Sequence, residues 1–292
     1  MKKIIIIIMA VTIMFSCEKS VVLEDSGDDN NSTVVSSPSK KFIFTVKGDF
    51  DNATFTRSYL AAEGQEMTDL WAFDYVDGVL IQYVHQSAGD AEWGQPNMSL
   101  SYGSHHIYFV VSRGEGATLD IDGHTIIWSG PRDTFWKDYQ VDVVSTSNGN
   151  RAVTLDRVAT KIRIVINDEI PVSCKELTVI PERWYYGWDF VNGVSVASQQ
   201  TERTVSVTEP YIGTSGQMAL SIYGLSNPNE WVTNILLEAK DTNGNVLGSA
   251  NITGAPFKQN RSTEYSGNLF GSTNGFNVSL SSTWEKPHIE TW

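Results

Sequence analysis

Hydrophobic and polar residues alternate one by one in the segment that starts at Lys41. Phe42, Phe44 and Val46 share one face of this segment, and the residues between them lie on the other face. A period of two places successive side chains on opposite sides of an extended chain. The segment is therefore predicted to be a half-buried β-strand.

The same alternation predicts strands along the rest of the chain. In the first half the predicted strands cover 54–60, 69–75, 79–85, 97–101, 106–112, 117–121, 124–128 and 138–145. In the second half they cover 151–155, 160–166, 175–180, 184–190, 203–208, 217–223, 232–240, 245–252, 262–270 and 276–284. Asp77-Gly78 and Asp122-Gly123 separate neighbouring runs and are typical of tight hairpin turns. The best candidate for a short helical turn is 156–162.

Strands separated by about 8–12 residues, with turn residues between them, are typical of β-sandwiches and barrels. A polar turn cluster at 145–150 marks a weak boundary between two halves. We therefore expect an all-β protein with two tandem sandwiches, the first over 41–147 and the second over 148–292.

The N-terminus has the pattern of an export signal. Two lysines precede an apolar run at 4–15, which is shorter than the roughly 20 residues that a membrane-spanning helix needs. Ser16-Cys17 follows this run and resembles the lipobox of bacterial lipoproteins, in which the cysteine is acylated. We expect a signal peptide over 1–16 and lipidation at Cys17, and an ordinary secretory signal is the alternative.

An acidic and polar stretch separates Cys17 from the first predicted strand. This stretch lacks any useful periodicity, so 17–40 is predicted to be a flexible tether. Such a stretch after a lipidated cysteine resembles the surface-export signals of Bacteroidota lipoproteins. A solvated linker is an equally good interpretation.

Charge and cysteine content exclude two classes of protein. The formal net charge is -13, and an acidic surface repels phosphate backbones, so no nucleic-acid partner is expected. Two cysteines cannot form a disulfide framework. Cys174 lies on a predicted strand and is interpreted as a buried, unreactive thiol.

Motifs that carry catalysis or metal binding are missing from the sequence. His105 and His106 would point to opposite faces of a strand, so they cannot chelate one metal ion together. The Asp-rich runs at 120–123 and 241–245 are interpreted as hairpin turns rather than calcium loops. We expect no enzymatic activity, no metal and no cofactor.

A dense aromatic cluster occupies 183–190, within a chain that has nine tryptophans. Trp184, Tyr186 and Trp188 alternate along one predicted strand, so part of the cluster must face a core. We interpret it as core and rim packing, and an exposed carbohydrate platform is the alternative.

Four segments together resemble the fimbrillin family, which provides the shaft, accessory and anchor proteins of Bacteroidales type V pili. They are Met67-Thr-Asp-Leu-Trp-Ala-Phe-Asp-Tyr75, Tyr102-Gly-Ser-His-His-Ile-Tyr-Phe-Val110, Leu155-Asp-Arg-Val-Ala-Thr-Lys-Ile162 and Pro256-Phe-Lys-Gln-Asn-Arg-Ser-Thr-Glu-Tyr-Ser-Gly267. The resemblance implies two tandem transthyretin-like β-sandwiches and a non-enzymatic, structural role.

Assembly by strand exchange is also implied by the resemblance. In polymerising fimbrillins a protease cuts after an arginine behind the first strand, and the C-terminal segment of a neighbour fills the groove. The matching bond here joins Arg57 to Ser58, and the alternative is that Arg57 is an ordinary surface residue in a loop or strand. The donor pattern consists of alternating residues near the C-terminus, which could also form an ordinary closing strand: Phe276, Val278, Leu280 and Trp284.

These observations predict a fimbrial subunit or pilus anchor on the outer-membrane surface. Its expected partners are other fimbrial subunits, the outer membrane through the lipid on Cys17, and ligands on host or bacterial surfaces. The alternative is a surface glycan-binding lipoprotein of a polysaccharide uptake system, with exposed aromatic rings around Trp184 and Trp188.

Overall fold

The computed structural model describes residues 20–22, 38–48, 67–113, 116–226, 231–271 and 275–280. Strands dominate these ranges, and a 3-10 turn at Glu209–Tyr211 is the one helical piece within them. The strands of the first half are β1 (Ser20–Val22), β2 (Ser39–Gly48), β3 (Asp69–Val76), β4 (Val79–Ser87), β5 (Asn97–Ser101), β6 (Gly103–Ser112), β7 (Thr118–Asp120), β8 (Thr125–Ile127), β9 (Thr134–Val143) and β10 (Asn150–Arg157).

The second half continues the all-β architecture. Its strands are β11 (Ala159–Ile166), β12 (Glu176–Pro181), β13 (Trp184–Asp189), β14 (Val194–Gln199), β15 (Arg203–Ser206), β16 (Ala219–Leu225), β17 (Trp231–Lys240), β18 (Val246–Phe257), β19 (Ser262–Asn268) and β20 (Gly275–Leu280). The all-β fold expected from the alternation of side chains is confirmed.

The first half is a sandwich whose two layers are joined by β10. The strand order is β1-β4-β3-β6-β9-β10-β2-β5. The first six residues of β10 pair in parallel with β2, and its last two pair antiparallel with β9. Alternate side chains of β2 are buried against those of β3 and β6 in one core.

The second half is a sandwich of two four-stranded sheets, with orders β16-β11-β19-β20 and β15-β12-β17-β18. The inward residues of β11, β12, β17 and β18 form its core. Strand β11 runs parallel to β19, whereas the other pairs in these two sheets are antiparallel.

A further four-stranded sheet, β14-β13-β8-β7, takes one hairpin from each half of the chain. It covers aromatic residues of β3 and β6 that face away from the first core, and together they form a third core. Phe190 of the second half stacks on Phe73 of the first half with ring centroids 4.0 Å apart. Residues from both halves therefore share this core.

Three local predictions differ from the structure. The segment 156–162 contains the end of β10 and the start of β11, because its backbone pairs with β9, β16 and β19 instead of coiling into a helical turn. Strand β14 was not predicted, and Ala197 within it has a left-handed φ of 56° that breaks the regular pattern. Ser20–Val22, within the predicted tether, forms β1 by pairing with β4.

The pairing of β10 indicates where the boundary between the two sandwiches lies. Val153 and Leu155 belong to the first core, although the predicted boundary at 147/148 places them in the second half. The division into two sandwiches at that boundary stays a prediction, and the pairing of β10 favours a boundary after Arg157.

Candidate functional site

The first candidate site is the position of β2, which lies between β10 and β5. It pairs in parallel with β10, where Ile43 faces Asn150, and antiparallel with β5, where Ile43 faces Asn97. Just before the start of β5, the carbonyls of Pro96 and Gly94 accept hydrogen bonds from the amides of Phe44 and Val46, at 3.0 and 3.1 Å. Backbone hydrogen bonds therefore hold β2 along both of its edges.

The inward side chains of β2 fill the middle of the first core. Phe44 is fully buried and makes edge contacts with the rings of Phe109 and Tyr139, at centroid distances of 5.2 and 5.9 Å. Phe42 stacks near Phe44, and the guanidinium of Arg151 lies 5.4 Å from the Phe42 ring centroid. Because Phe42, Phe44 and Val46 are all buried, loss of β2 would open an apolar groove. Burial of one such side chain contributes about 1.5–3 kcal/mol to stability.

Close backbone packing at the start of β10 supports this arrangement. Gly149 accepts a hydrogen bond from the Ile43 amide at 2.8 Å. A Cβ atom at Gly149 would lie 2.4 Å from the carbonyl oxygen of Lys41, so only glycine allows the two strands to approach here.

The second candidate element is the C-terminal strand β20. It pairs antiparallel with β19, so that Gly267 faces Phe276, Tyr265 faces Val278 and Thr263 faces Leu280. In the strand order β20 is the last strand of its sheet. Among the described strands, the backbone of Phe276, Val278 and Leu280 is thus extended and at a sheet edge, as suits a donor segment.

The other predicted site residues lie outside the described ranges. They are Cys17, Arg57, Ser58 and Trp284. The Arg57–Ser58 bond falls in the segment 49–66, between β2 and β3 in the chain. Lipidation at Cys17 and cleavage after Arg57 stay predictions.

The aromatic cluster at 183–190 is mostly core. Trp184 is 2% exposed, and its Nε1 donates to the carbonyl of Tyr223 at 2.9 Å. Trp188 is fully buried in the third core against Trp136. These two rings therefore pack in the core as expected, and a sugar cannot stack on them as the alternative of an exposed platform requires.

Polar residues that could carry chemistry have structural partners instead. His105 and His106 face opposite sides of β6 as expected, the first bonded to buried Asp74 and the second to Asp138. The carboxylate of Asp241 accepts hydrogen bonds from the amides of Asn243 and Asn245 and so closes a hairpin turn. In the described part of the chain, no group of three His, Cys, Asp or Glu residues could hold a metal ion.

Cys174 lies just before β12, and its side chain is fully buried. Burial raises the pKa of the Cys174 thiol, which keeps it protonated and unreactive. Among the described residues, no helix is long and apolar enough to cross a membrane.

Solved structures show which known fold this architecture shares. A candidate adhesin from Bacteroides ovatus matches with a TM-score of 0.50 at 10% identity, over 84% of this chain and 94% of that one. A candidate polysaccharide-binding protein from Bacteroides thetaiotaomicron matches with a TM-score of 0.51 at 8% identity, over 82% of this chain and 95% of that one. This chain therefore shares its all-β, sandwich-like fold with these two solved structures.

Sequence comparisons give the family. A search of curated proteins finds no match. The model of the family of unknown function DUF6562 matches residues 118–292, from β7 to the C-terminus. Because this match spans more than half of the sequence, the chain belongs to the family of unknown function DUF6562.

Proposed function

We propose that this protein is a structural fimbrial subunit or pilus anchor on the outer-membrane surface, which assembles by β-strand donation and supports adhesion. The observation that carries the proposal is the position of β2, an early strand held between β10 and β5. The fold shared with a candidate adhesin from Bacteroides ovatus supports the same role. The role is structural, with no enzymatic step.

Backbone pairing at strand edges explains how β2 could be exchanged. Release of β2 would leave unpaired N–H and C=O groups on β10 and β5, beside an apolar groove. A donated strand with alternating apolar side chains restores both the hydrogen bonds and the buried surface. The segment with Phe276, Val278 and Leu280 has this alternation, so the partner is the C-terminal segment of another subunit.

Two further proposals complete this function. Acylation of Cys17 would hold the protein at the outer membrane, since stable anchoring needs two or more lipid chains. Cleavage between Arg57 and Ser58 would remove both the lipid and β2, and so would convert an anchored chain into a polymerising one.

The mature N-terminus tests these proposals directly. Mass spectrometry is performed on protein recovered from outer membranes and from sheared surface fibres. An acylated Cys17 at the membrane, with no protein in the fibres, indicates an anchor and contradicts cleavage at Arg57. A start at Ser58 within high-mass fibres indicates a polymerising subunit.

Substitution of the cleavage site separates processing from folding. We expect Arg57→Ala to keep the N-terminal segment attached and to remove the protein from fibres. Arg57→Lys keeps the positive charge and tests whether the protease requires arginine itself, since an arginine-specific enzyme would leave this chain uncut as well. Normal incorporation of the Arg57→Ala chain into fibres would contradict processing at this bond.

A second candidate function is glycan binding at the cell surface, which is favoured by the likeness to a candidate polysaccharide-binding protein. Half-buried Tyr186 lines a cleft of about 250 Å³ together with Trp128 and Gln199. Retardation in a gel that contains polysaccharide, abolished by Tyr186→Ala, would support this alternative. Unchanged mobility on a panel of polysaccharides would contradict it.

A further inference from the structure

The edge of β4 is covered by a segment from the N-terminus of the chain. On one side β4 pairs along its whole length with β3, from Val79 facing Val76 to Ser87 facing Asp69. On the other side, among the described strands, only β1 pairs with it. Ser20 faces Val84, Val21 faces Tyr83 and Val22 faces Gln82, in antiparallel register.

The rest of this edge shows what β1 protects. Val79 and Ile81, which precede the covered residues, are 61% and 41% exposed. An edge strand with exposed β-branched side chains is a template on which another strand can pair. Strand β1 is three residues long and pairs with the middle of β4, where the backbone groups would otherwise be exposed at the sheet edge.

The sequence of β1 suits this position. Val21 and Val22 are β-branched and favour extended backbone, within a stretch that is otherwise polar and acidic. The segment also lies close to the predicted lipidation site, since Ser20 follows Cys17 by only three residues. An extended chain reaches about 3.3–3.6 Å per residue, so this gap spans roughly 10 Å.

We propose that the edge of β4 is an acceptor site for the chain's own segment Ser20–Val22, which acts as a clasp between the N-terminus and the first sandwich. The clasp is an intrachain β-augmentation and stands whether or not the protein is fimbrial. With Cys17 acylated, it holds the β4 edge within about 10 Å of the anchor, whereas a free tether of this composition would let the sandwich move much farther away.

Cleavage at the proposed processing site would then have a double effect. Both β1 and β2 precede Arg57, so a single cut after Arg57 would separate both strands from the rest of the chain. The β4 edge would become open at the same moment as the groove between β10 and β5. This consequence rests on the proposed function, whereas the clasp itself does not.

A disulfide between Val21→Cys and Tyr83→Cys tests the clasp in the full-length lipoprotein in native outer membranes. Facing Cα atoms of an antiparallel pair lie about 4.5 or 5.5 Å apart, which a disulfide can span. Val21→Cys with Val79→Cys is the matched control, because Val79 lies on the same edge four residues out of register. Cys174 is buried, and peptide mapping under non-reducing conditions identifies the bonded pair, so that a disulfide of unacylated Cys17 is recognised.

We expect a disulfide within one chain for the Val21/Tyr83 pair and none for the Val21/Val79 pair. Equal cross-linking of both pairs, no cross-linking of either, or a disulfide-linked dimer would each overturn the proposal; the dimer would identify a second copy as the occupant. Mass spectrometry of Cys17 in the same sample tests the anchor separately, so an unacylated but cross-linked chain confirms the clasp and contradicts the membrane spacing.

Hydrogen exchange provides a measurement without introduced cysteines. Val21→Pro removes a backbone donor and disfavours strand pairing at β1. We expect faster exchange at Gln82–Val84 in this variant, with unchanged exchange in β17 as a check that the fold is retained. Identical exchange of β4 in both chains would overturn the clasp.

Discussion

At the scale of single residues, the most demanding feature is an ion pair inside the first sandwich. His105 Nδ1 lies 2.6 Å from Asp74 Oδ1, and His105 Nε2 lies 2.9 Å from the Ser101 carbonyl oxygen. Gln82 Nε2 donates to Asp74 Oδ2 at 3.0 Å and to the Ser99 carbonyl at 2.7 Å. Both ring nitrogens face acceptors, so the geometry favours the doubly protonated imidazolium. The network links β3, β4 and β6 to β5 of the opposite layer.

We expect the free energy of unfolding to fall as pH rises through the pKa of His105. Burial lowers this pKa, but the hydrogen bond and charge of Asp74, with the Ser101 carbonyl, raise it above its ordinary 6.5. A raised folded pKa gives stability that is complete below the unfolded pKa and lost as pH rises through the folded one. Urea unfolding from slightly acidic to alkaline pH measures this loss.

Two neighbouring variants provide the comparison for this pH dependence. His105→Gln removes the titrating group, so it should flatten the alkaline loss and cost about 3–5 kcal/mol at lower pH, because Asp74 stays buried without its cation. His106→Gln is the matched control, since His106 lies on the other face of β6 and is partly exposed. The same alkaline slope in His105→Gln as in the unmodified chain would contradict the assignment.

At the scale of elements, β2 shows how a local pattern and a distant partner combine. Its alternation alone predicted a half-buried strand, and the structure buries Phe42, Phe44 and Val46 as expected. Its neighbours β10 and β5 are far along the chain and carry no local signal that identifies them. The strand was thus predictable from its residues, but its place in the candidate groove was not.

We expect Phe44→Ala to destabilise the protein by about 3–5 kcal/mol, because it removes a ring from the centre of the first core. Thr45→Ala is the matched control on the outward face of the same strand and should cost within about 0.5 kcal/mol. Urea unfolding followed by tryptophan fluorescence measures both. Equal effects of the two substitutions would show that β2 does not fill the core.

At the scale of the whole molecule, the third core joins the two halves. Trp188 and Phe190 of the second half pack with Trp71, Phe73 and Tyr108 of the first half. The hairpin β7–β8 also pairs with β13 across the halves, where Ile127 faces Gly187. Packed side chains and backbone hydrogen bonds therefore couple the two halves of the chain.

We expect one cooperative unfolding transition for the whole described fold, because neither half can unfold without exposing the third core. Scanning calorimetry should give equal calorimetric and van't Hoff enthalpies. Two well-separated transitions in the unmodified chain would contradict the coupling.

We expect Trp188→Ala to lower the free energy of unfolding by about 3–5 kcal/mol, since the ring is fully buried. Urea unfolding measures this loss.

Alternation of side chains is a local property of the residues, so the strands and the approximate positions of most of them were predictable before any tertiary contact was known. It also indicated the strands proposed for exchange, β2 and β20. The partners of these strands became known only from the folded chain: β10 pairs in both layers of the first sandwich, both halves share one sheet, and β1 pairs with β4. The burial of Trp184 and Trp188 also depends on these contacts. Strands pair through backbone groups that are nearly the same in every residue, so the choice among partners depends on which arrangement buries the apolar faces together.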